Sequence, residues 1–298
     1  MENALRKRLE ILKNRAKEIR RLYLLRHGLG VPVEPGDPCT LVEAAPGEEV
    51  TIASSTLYLI RSDAVSVVGD APALAESFGR LGATPSWRGI SLRSSVREAV
   101  VESAGVGESS GRAPRADFSQ PFSGEHFCFF DIETTGLSPS TYVFLCGMMY
   151  LHDGQFVIEQ AFARDYSEEM GMLLFTRQTL DRFPVLVTYN GASFDVPFVK
   201  TRMAVGRIEY EGPREHVDLL IPARQRFGGV LPNCKLGTIE RHLRNTDRED
   251  DIPGSEIPDA YHEFVRTGDA RKIKRILHHN RMDLLAMACL FNHLLAPR

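Results

Sequence analysis

The feature that most constrains the fold is a pair of acids at the end of an apolar segment. Phe127-Cys128-Phe129-Phe130 runs directly into Asp131-Ile132-Glu133, and the apolar run predicts a buried strand. In a strand, Asp131 and Glu133 point to the same face. Two like charges side by side in a protein interior are costly unless a cation neutralises them, and Mg²⁺ and Mn²⁺ prefer oxygen ligands. The pair therefore indicates a metal site; the alternative is a strand end whose acids only face water.

Composition excludes several classes of protein. With 298 residues, 43% of them hydrophobic, the chain can form one large domain or one domain with an appendage. A net charge of −3 argues against a basic nucleic-acid coat, so a polyanion site needs local basic clusters or metal ions. The five cysteines show no CxxC spacing and predict reduced thiols rather than zinc ligands or disulfides. No continuous apolar run is long enough to span a membrane, and we expect a soluble cytoplasmic protein.

The pattern along the chain suggests three parts. Residues 1–101 predict a basic amphipathic helix over residues 5–23, which could touch nucleic acid or pack on the body, followed by short strands including 50–53, 57–60 and 65–68. Residues 102–123 are rich in Gly, Ser, Ala and Pro, as is typical of a flexible linker. Residues 124–298 alternate between strand and helix patterns and predict an α/β domain.

Within this last part, the predicted elements indicate a mixed sheet flanked by helices. Asp153-Gly154 lies between two apolar stretches and predicts a hairpin. The first three strands should therefore form an antiparallel meander, and further helices should continue to the end of the chain. The ranges that the pattern predicts are strands at 126–132, 143–151, 155–163 and 184–189, and helices at 167–181 and 193–206.

Two further acids follow in the sequence. Asp195 comes after the turn Asn190-Gly191, where Ser193 is a candidate N-cap, and it either joins the acidic site or only caps a helix. Asp283 interrupts the apolar stripe of a helix, four residues after His279 and five after His278. A histidine beside such an acid can deprotonate a water molecule, or the two histidines can simply mark a solvated helix end.

The three acidic motifs together resemble the DEDD (DnaQ-like) exonuclease superfamily of the RNase H-like fold. Asp131-Ile132-Glu133-Thr134-Thr135-Gly136 resembles its first motif, Asn190 with Phe194-Asp195 the second, and Asp283 with a preceding histidine the third. The resemblance covers residues 124–295. Segments such as Cys234-Lys235-Leu236-Gly237 and Asp251-Ile252-Pro253-Gly254 are similar to the bacterial YprB-type branch of predicted 3′-5′ exonucleases, which favours His279 over His278 as the base.

The resemblance implies a function and a set of residues for it. It implies an RNase H-like mixed sheet that binds two Mg²⁺ or Mn²⁺ ions through Asp131, Glu133, Asp195 and Asp283. His279 or His278 would deprotonate water, and single-stranded DNA or RNA would be cut from its 3′ end into nucleoside 5′-monophosphates. The residues expected to contact the substrate are Thr134, Thr135, Gly136, Leu137, Asn190 and Phe194.

Two other functions are compatible with parts of the sequence. A protein that keeps the fold but not catalysis would bind nucleic acid or act as a scaffold, although every acidic position is occupied here. Arg26-His27-Gly28 resembles the signature of histidine phosphatases. That motif should end an N-terminal strand, whereas here a predicted helix precedes it, so we interpret Gly28 as a helix stop.

Overall fold

The computed structural model describes residues 38–64, 71–79, 123–245, 248 and 250–295 of the chain. The described residues from Cys39 onward belong to one compact unit. Several sequence predictions lie outside the described residues: the basic helix, Arg26-His27-Gly28, the strand at 65–68 and all but the last residue of the linker. No helix in the described part of the chain is long and apolar enough to cross a membrane.

Seven strands form one sheet within the described residues. They are β1 (Glu48–Ile52), β2 (Ser55–Asp63), β3 (Phe127–Thr134), β4 (Val143–His152), β5 (Gln155–Phe162), β6 (Val185–Thr188) and β7 (Glu215–Asp218). Their order across the sheet is β1-β2-β5-β4-β3-β6-β7. The first five in this order pair antiparallel, whereas β6 runs parallel to both β3 and β7. The predicted mixed α/β sheet is confirmed.

Helices surround this sheet. They are α1 (Leu41–Ala44), α2 (Ala71–Gly79), α3 (Glu169–Leu180), α4 (Asp195–Val205), α5 (Leu220–Phe227), α6 (Leu236–Arg244), α7 (Ile257–Thr267) and α8 (Arg271–Leu295). Short 3₁₀ turns precede three of the elements. The longest helix, α8, carries the predicted third acidic motif.

The turn between β4 and β5 shows why the meander forms. Asp153 and Gly154 both have positive φ, 49° and 76°, the conformation that a two-residue hairpin turn matched to the twist of its strands requires. The pairing from His152↔Gln155 to Leu145↔Phe162 follows directly from this turn. The predicted hairpin is therefore confirmed, and it fixes the register of the sheet beside the acidic strand.

The N-terminal strands join the same sheet. The sequence places residues 1–101 apart from 124–298, but β2 pairs with β5 along six residues, from Tyr58↔Phe162 to Asp63↔Val157. The buried run Leu57–Ile60 needs this partner, because its backbone groups and apolar side chains would otherwise remain exposed to water. Local sequence pattern predicts the strand but says nothing about a partner 100 residues away.

Strand β7 was not predicted. The sequence favours helices after residue 206, yet Glu215–Asp218 pairs parallel to β6 before α5 begins. Its four residues include three that are charged or titratable, so neither an apolar run nor a clear alternation marks it. The strand places Asp218 beside the turn that follows β6.

The sheet separates two hydrophobic clusters. Alternate residues of β3 belong to different clusters: Cys128, Phe130 and Ile132 to one, and Phe127 and Phe129 to the other. Helices α3, α4 and α7 contribute to the first cluster, whereas α2, α5 and α6 contribute to the second. Helix α8 supplies residues to both, so it is fixed against the sheet along its length.

Substituting Gly171 in α3 tests the close approach of the N-terminal strands. A Cβ on Gly171 would lie 2.2 Å from the carbonyl oxygen of Thr56 in β2, so Gly171→Ala should lower the free energy of unfolding by about 1 to 3 kcal/mol. Gly237→Ala in α6 is the matched control, since nothing lies within 4 Å of its Cβ. It should be neutral or stabilise by up to about 1 kcal/mol. Urea denaturation measures both; equal effects would contradict the packing of β2 on α3.

Candidate active site

Asp131 and Glu133 lie near the carboxyl end of β3, between β4 and β6. Asp131 pairs with Gly147 of β4, and Glu133 pairs with Leu145. Strand alternation puts both acids on the face opposite Phe130 and Ile132, which pack into the first cluster. The strand therefore presents two carboxylates to the same side, as the sequence predicts.

Asp195 turns its carboxylate towards this strand. It is the first residue of α4 and is buried, and its Oδ1 accepts a hydrogen bond from the Ile132 backbone nitrogen at 3.2 Å. The predicted cap at Ser193 is wrong: the cap position is Phe194, without a side-chain cap, and the Ser193 nitrogen donates to the Asn190 carbonyl within the turn. Asp195 thus links the start of α4 to β3.

Burial and neighbouring charges raise the pKa values of three of the acids, Asp131, Glu133 and Asp195. Burial raises the pKa of Asp131, and the charges of Asp283, Glu133 and Asp195 raise it further. Burial also raises the pKa of Glu133, followed by the charges of Asp283 and Asp195. The pKa of Asp195 is raised to about 7, mainly by burial. Acids that were predicted separately from β3, α4 and α8 therefore share one electrostatic site.

Arg248 supplies a positive charge that the sequence did not single out. Its Nη2 donates to Asp283 Oδ1 at 2.6 Å, and its Nε donates to Glu240 Oε2 at 2.6 Å. The Arg248 side chain is only 11% exposed and Glu240 only 3%, so the guanidinium is held in place from outside the site. Arg248 lies in a charged connection between α6 and α7, where no local pattern distinguishes a site residue from a surface residue.

Of the two histidines, His279 contacts the acids. Its Nδ1 lies 2.7 Å from Asp251 Oδ1, and its Nε2 lies 3.5 Å from Asp283 Oδ2. Burial acts to raise the pKa of Asp251, but the hydrogen bond and charge of His279, with the charge of Arg248, lower it below its usual value. An ionised Asp251 accepts from Nδ1–H and leaves Nε2 facing Asp283. The pKa of His278 is lowered, first by burial and then by the charge of Arg281.

The loop after β3 uses its hydroxyl groups internally. Thr134 Oγ1 donates to the Gly136 carbonyl at 2.7 Å, and Thr135 Oγ1 accepts from the Tyr142 nitrogen at 3.0 Å. A Cβ on Gly136 would lie 3.0 Å from the Thr141 side chain, so the loop is closely folded. Leu137 is 89% exposed and is therefore the member of this group most accessible to a ligand.

The turn after β6 is fixed by Asp218. Asn190 has a positive φ of 63°, and its backbone nitrogen donates to Asp218 Oδ1 at 2.8 Å while the Ala192 nitrogen donates to Oδ2 at 3.0 Å. Phe194 is partly buried against the first cluster, with its ring 5.3 Å from that of Phe198. Asp218 Oδ1 also accepts a hydrogen bond from the Leu220 nitrogen at the start of α5, so this side chain joins the turn to that helix.

The acids are chemically suited to a divalent cation but are not preorganised around one. Within the described residues, no group of three or more His, Cys, Asp or Glu side chains could hold a metal ion as it stands. One of the acids, Asp283, is already paired with the Arg248 guanidinium. Hard cations bind carboxylate oxygens. At Asp283, the Arg248 guanidinium supplies the positive charge that a bound cation would otherwise supply. The donor set fits, provided that Asp283 exchanges Arg248 for the ion.

Comparisons with known proteins identify the family. A model for the RNase H superfamily matches residues 128–295, the segment that contains all four acids. The chain belongs to the RNase H superfamily. The predicted RNase H-like fold is thereby confirmed, and this superfamily is one of nucleases.

Two curated relatives match parts of this RNase H superfamily chain. Uncharacterized protein YprB of Bacillus subtilis (strain 168) is 33% identical over 170 residues, which are 56% of this chain and 41% of YprB. Uncharacterized protein MJ0365 of Methanocaldococcus jannaschii is 29% identical over 159 residues, 52% of this chain and 86% of that protein. The chain therefore spans less than half the length of YprB, and the predicted similarity to YprB is confirmed.

A solved structure is also similar. The family B DNA polymerase from the hyperthermophilic archaeon Pyrobaculum calidifontis has 19% sequence identity and a TM-score of 0.46, over 57% of this chain and 24% of the polymerase.

The raised pKa of Asp195 predicts a dependence of stability on pH. Its pKa is about 7 in the folded protein and about 3.9 in an unfolded chain. Between these values only the folded state binds the proton, so the free energy of unfolding falls as the pH rises through this range. In a buffer with a chelator, Asp195→Asn should therefore be more stable than wild type at pH 8, by on the order of 1 to 3 kcal/mol, and this gain should shrink at pH 5.

Asp153→Asn is the matched control for this measurement. Asp153 has a side chain that is 92% exposed, and asparagine tolerates its left-handed backbone. Urea denaturation at the two pH values should show the same pH dependence for this control as for wild type. A pH dependence that is unchanged in Asp195→Asn would contradict the burial of an uncompensated charge at Asp195.

Proposed function

We propose that this chain is a metal-dependent 3′-5′ exonuclease that cleaves single-stranded nucleic acid and releases nucleoside 5′-monophosphates. The observation that carries the proposal is the convergence of four carboxylates with a histidine that is oriented by a fifth, Asp251. The direction of cleavage is inferred from the resemblance to DEDD exonucleases, and the substrate from the family.

Asp131, Glu133, Asp195 and Asp283 would hold two Mg²⁺ or Mn²⁺ ions. When bound, the ions neutralise charge that develops on the phosphoryl oxygens during the displacement. Burial and then the repulsion between neighbouring carboxylates raise the pKa values of Asp131 and Glu133. This supports the role, because a bound cation relieves the repulsion. Arg248 must then leave Asp283, and its guanidinium is close enough to the site to contact a phosphate instead.

His279 is the proposed general base. Asp251 holds the Nδ1–H and stabilises the charged imidazolium that forms when Nε2 takes a proton from water. The water oxygen forms a bond to the phosphorus of the terminal nucleotide. The bond between this phosphorus and the 3′ oxygen of the penultimate nucleotide breaks. Solvent returns a proton to this oxygen, which leaves a shortened strand with a 3′ hydroxyl and a nucleoside 5′-monophosphate.

A basic segment next to the site supports a nucleic-acid substrate. Residues 219–245 contain a single acid, Glu240, which is buried. The segment is joined to the turn after β6, because the Tyr189 hydroxyl donates to the Cys234 carbonyl. Its exposed basic side chains are Arg224, Arg226, Lys235 and Arg241. In a chain with a net charge of −3, this local surface attracts the phosphates of a strand.

The residues proposed to contact the terminal nucleotide lie at the end of β3 and in the loops after β3 and β6. They are Thr134, Thr135, Gly136, Leu137, Asn190 and Phe194.

The direct experiment is incubation of the purified full chain with 5′-end-labelled single strands of DNA and RNA, and with duplex, in Mg²⁺ or Mn²⁺. A ladder that shortens from the 3′ end, with mononucleotide products, is the expected result. Binding of the strands without any cleavage would favour the non-catalytic scaffold instead.

Asp131→Asn should abolish cleavage while leaving the fold intact. Asparagine keeps the size of the side chain but removes one of the negative charges that hold the cations, so kcat should fall by about a thousandfold or more. The exposed Asp153→Asn variant is the matched control and should keep wild-type activity. Cleavage by Asp131→Asn at the wild-type rate, with contamination excluded, would rule out the proposed site.

Replacing each histidine separately identifies the base. His279→Ala removes the ring that faces Asp283, and kcat should fall by about a hundredfold to ten-thousandfold. His278→Ala removes a neighbouring ring on the same helix and should change kcat by less than about fivefold, since His278 is not the ring that contacts Asp251 and Asp283. Single-turnover rates at saturating substrate separate the two variants. A larger loss in His278→Ala would reverse the assignment.

A further inference from the structure

A notch in the sheet lies beside the acidic site. Asp131 of β3 pairs with Gly147 of β4, which in turn pairs with Gln160 of β5. Paired residues on neighbouring strands point to the same face, so the side chains of Asp131 and Gln160 flank a position that has no side chain. The notch is open on the face of the sheet that carries the acids.

The Asn280 side chain fills this notch. Asn280 of α8 is fully buried, as is Gln160. A Cβ on Gly147 would lie 2.1 Å from Asn280 Oδ1 and 2.7 Å from both Cγ and Nδ2. Any larger residue at position 147 would therefore collide with the body of the amide, and glycine here is required by the neighbouring side chain rather than by the backbone.

The hydrogen bonds fix which way the Asn280 amide faces. The Leu277 carbonyl can only accept, so the Gln160 amide must turn its Nε2 towards it, at 2.9 Å. The same Nε2 donates to Asn280 Oδ1 at 2.9 Å. Asn280 Nδ2 then faces Asp131 and lies 2.8 Å from Oδ2 and 3.3 Å from the backbone oxygen. A backbone carbonyl of α8 thus sets the orientation of two amides in series.

This orientation has a cost, which shows that it is specific. Among the described residues, Gln160 Oε1 is buried and has no hydrogen-bond partner. Reversing the Gln160 amide would place its oxygen against two acceptors, the Leu277 carbonyl and Asn280 Oδ1, and is worse. Reversing Asn280 would place Oδ1 against the Asp131 carboxylate. Only the observed arrangement aims an N–H group at the acid.

We propose that Asn280 is a positioning residue that holds the Asp131 carboxylate in the conformation needed for cation binding. The consequence for cations rests on the function proposed above, whereas the hydrogen bond to Asp131 does not. Without a donor, Asp131 would rotate away from the three other acids, because their charges repel it. Groups that orient a ligating carboxylate are typically worth about 10-fold to 100-fold in metal affinity or activity.

Three variants separate positioning from packing. Asn280→Ala removes the amide and leaves the notch empty, and Gly147→Ala adds a methyl group that collides with Asn280; each should lower stability. The double variant, which carries both substitutions, places the added methyl group in the space that the amide left, so it should recover a large part of the lost stability in urea denaturation. It still lacks the donor to Asp131.

Cation affinity is the main readout. We expect Mn²⁺ binding, measured by calorimetry on the full chain, to be about 10-fold to 100-fold weaker in the double variant than in wild type. In the proposed reaction kcat should fall by a similar factor, with KM for single strands changed by less than about threefold. A double variant that regains stability together with wild-type Mn²⁺ affinity would show that Asn280 only fills space and would overturn the proposal.

A second readout needs neither metal nor activity. In the metal-free protein, the side-chain amide protons of Asn280 should exchange slowly with solvent in nuclear magnetic resonance spectra and should shift in Asp131→Asn. Absence of this shift would overturn the proposal directly. If the Asn280 signals shift in Asp131→Asn but the wild-type protein neither binds Mn²⁺ nor cuts a strand, the proposed function is wrong and the hydrogen bond between Asn280 and Asp131 is still supported.

Discussion

Repulsion among buried carboxylates at the end of β3 is the constraint on which the rest of the site depends. Asp131 and Glu133 would be costly in an apolar strand without compensation, and much of the surrounding structure provides it. The Asn280 amide, the Ile132 nitrogen and the Arg248 guanidinium each satisfy one acid. These partners come from α8, from β3 itself and from the connection before α7, so the site draws on distant parts of the chain.

The sequence predicts well those strands, helices and turns that depend on residues close together in the chain. The hairpin at Asp153-Gly154, the apolar strand before Asp131 and the long helix around Asp283 all have local signals, and the structure contains each of them. The sequence predicts poorly those elements whose formation depends on residues far away along the chain. The pairing of β2 with β5 joins segments about 100 residues apart, and β7 is too short and too polar to show a pattern. Helix α4 begins at Asp195, whose side chain accepts from the Ile132 nitrogen of β3, a contact that the local pattern does not predict.

The same division applies within the site. The four acids can be identified from the sequence, because charged residues are unusual next to or within apolar segments. Arg248, Asp251 and Gln160 are ordinary in their local contexts, and only the fold shows what they contact. The four-residue spacing already places His279 near Asp283 on one face of the helix. Only the fold shows that His279 contacts Asp251, which fixes which ring nitrogen faces the acids.

The pairing of β2 with β5 means that the family-matching segment does not contain the whole sheet. The match to the RNase H superfamily begins at residue 128, but a chain cut there would leave β5 with an open edge along six residue pairs. It would also lose Phe78, whose ring packs against Phe129, Phe156 and Phe291. An unprotected strand edge recruits other chains. A recombinant fragment that begins at residue 128 would therefore tend to aggregate, whereas in the full chain β2 covers this edge.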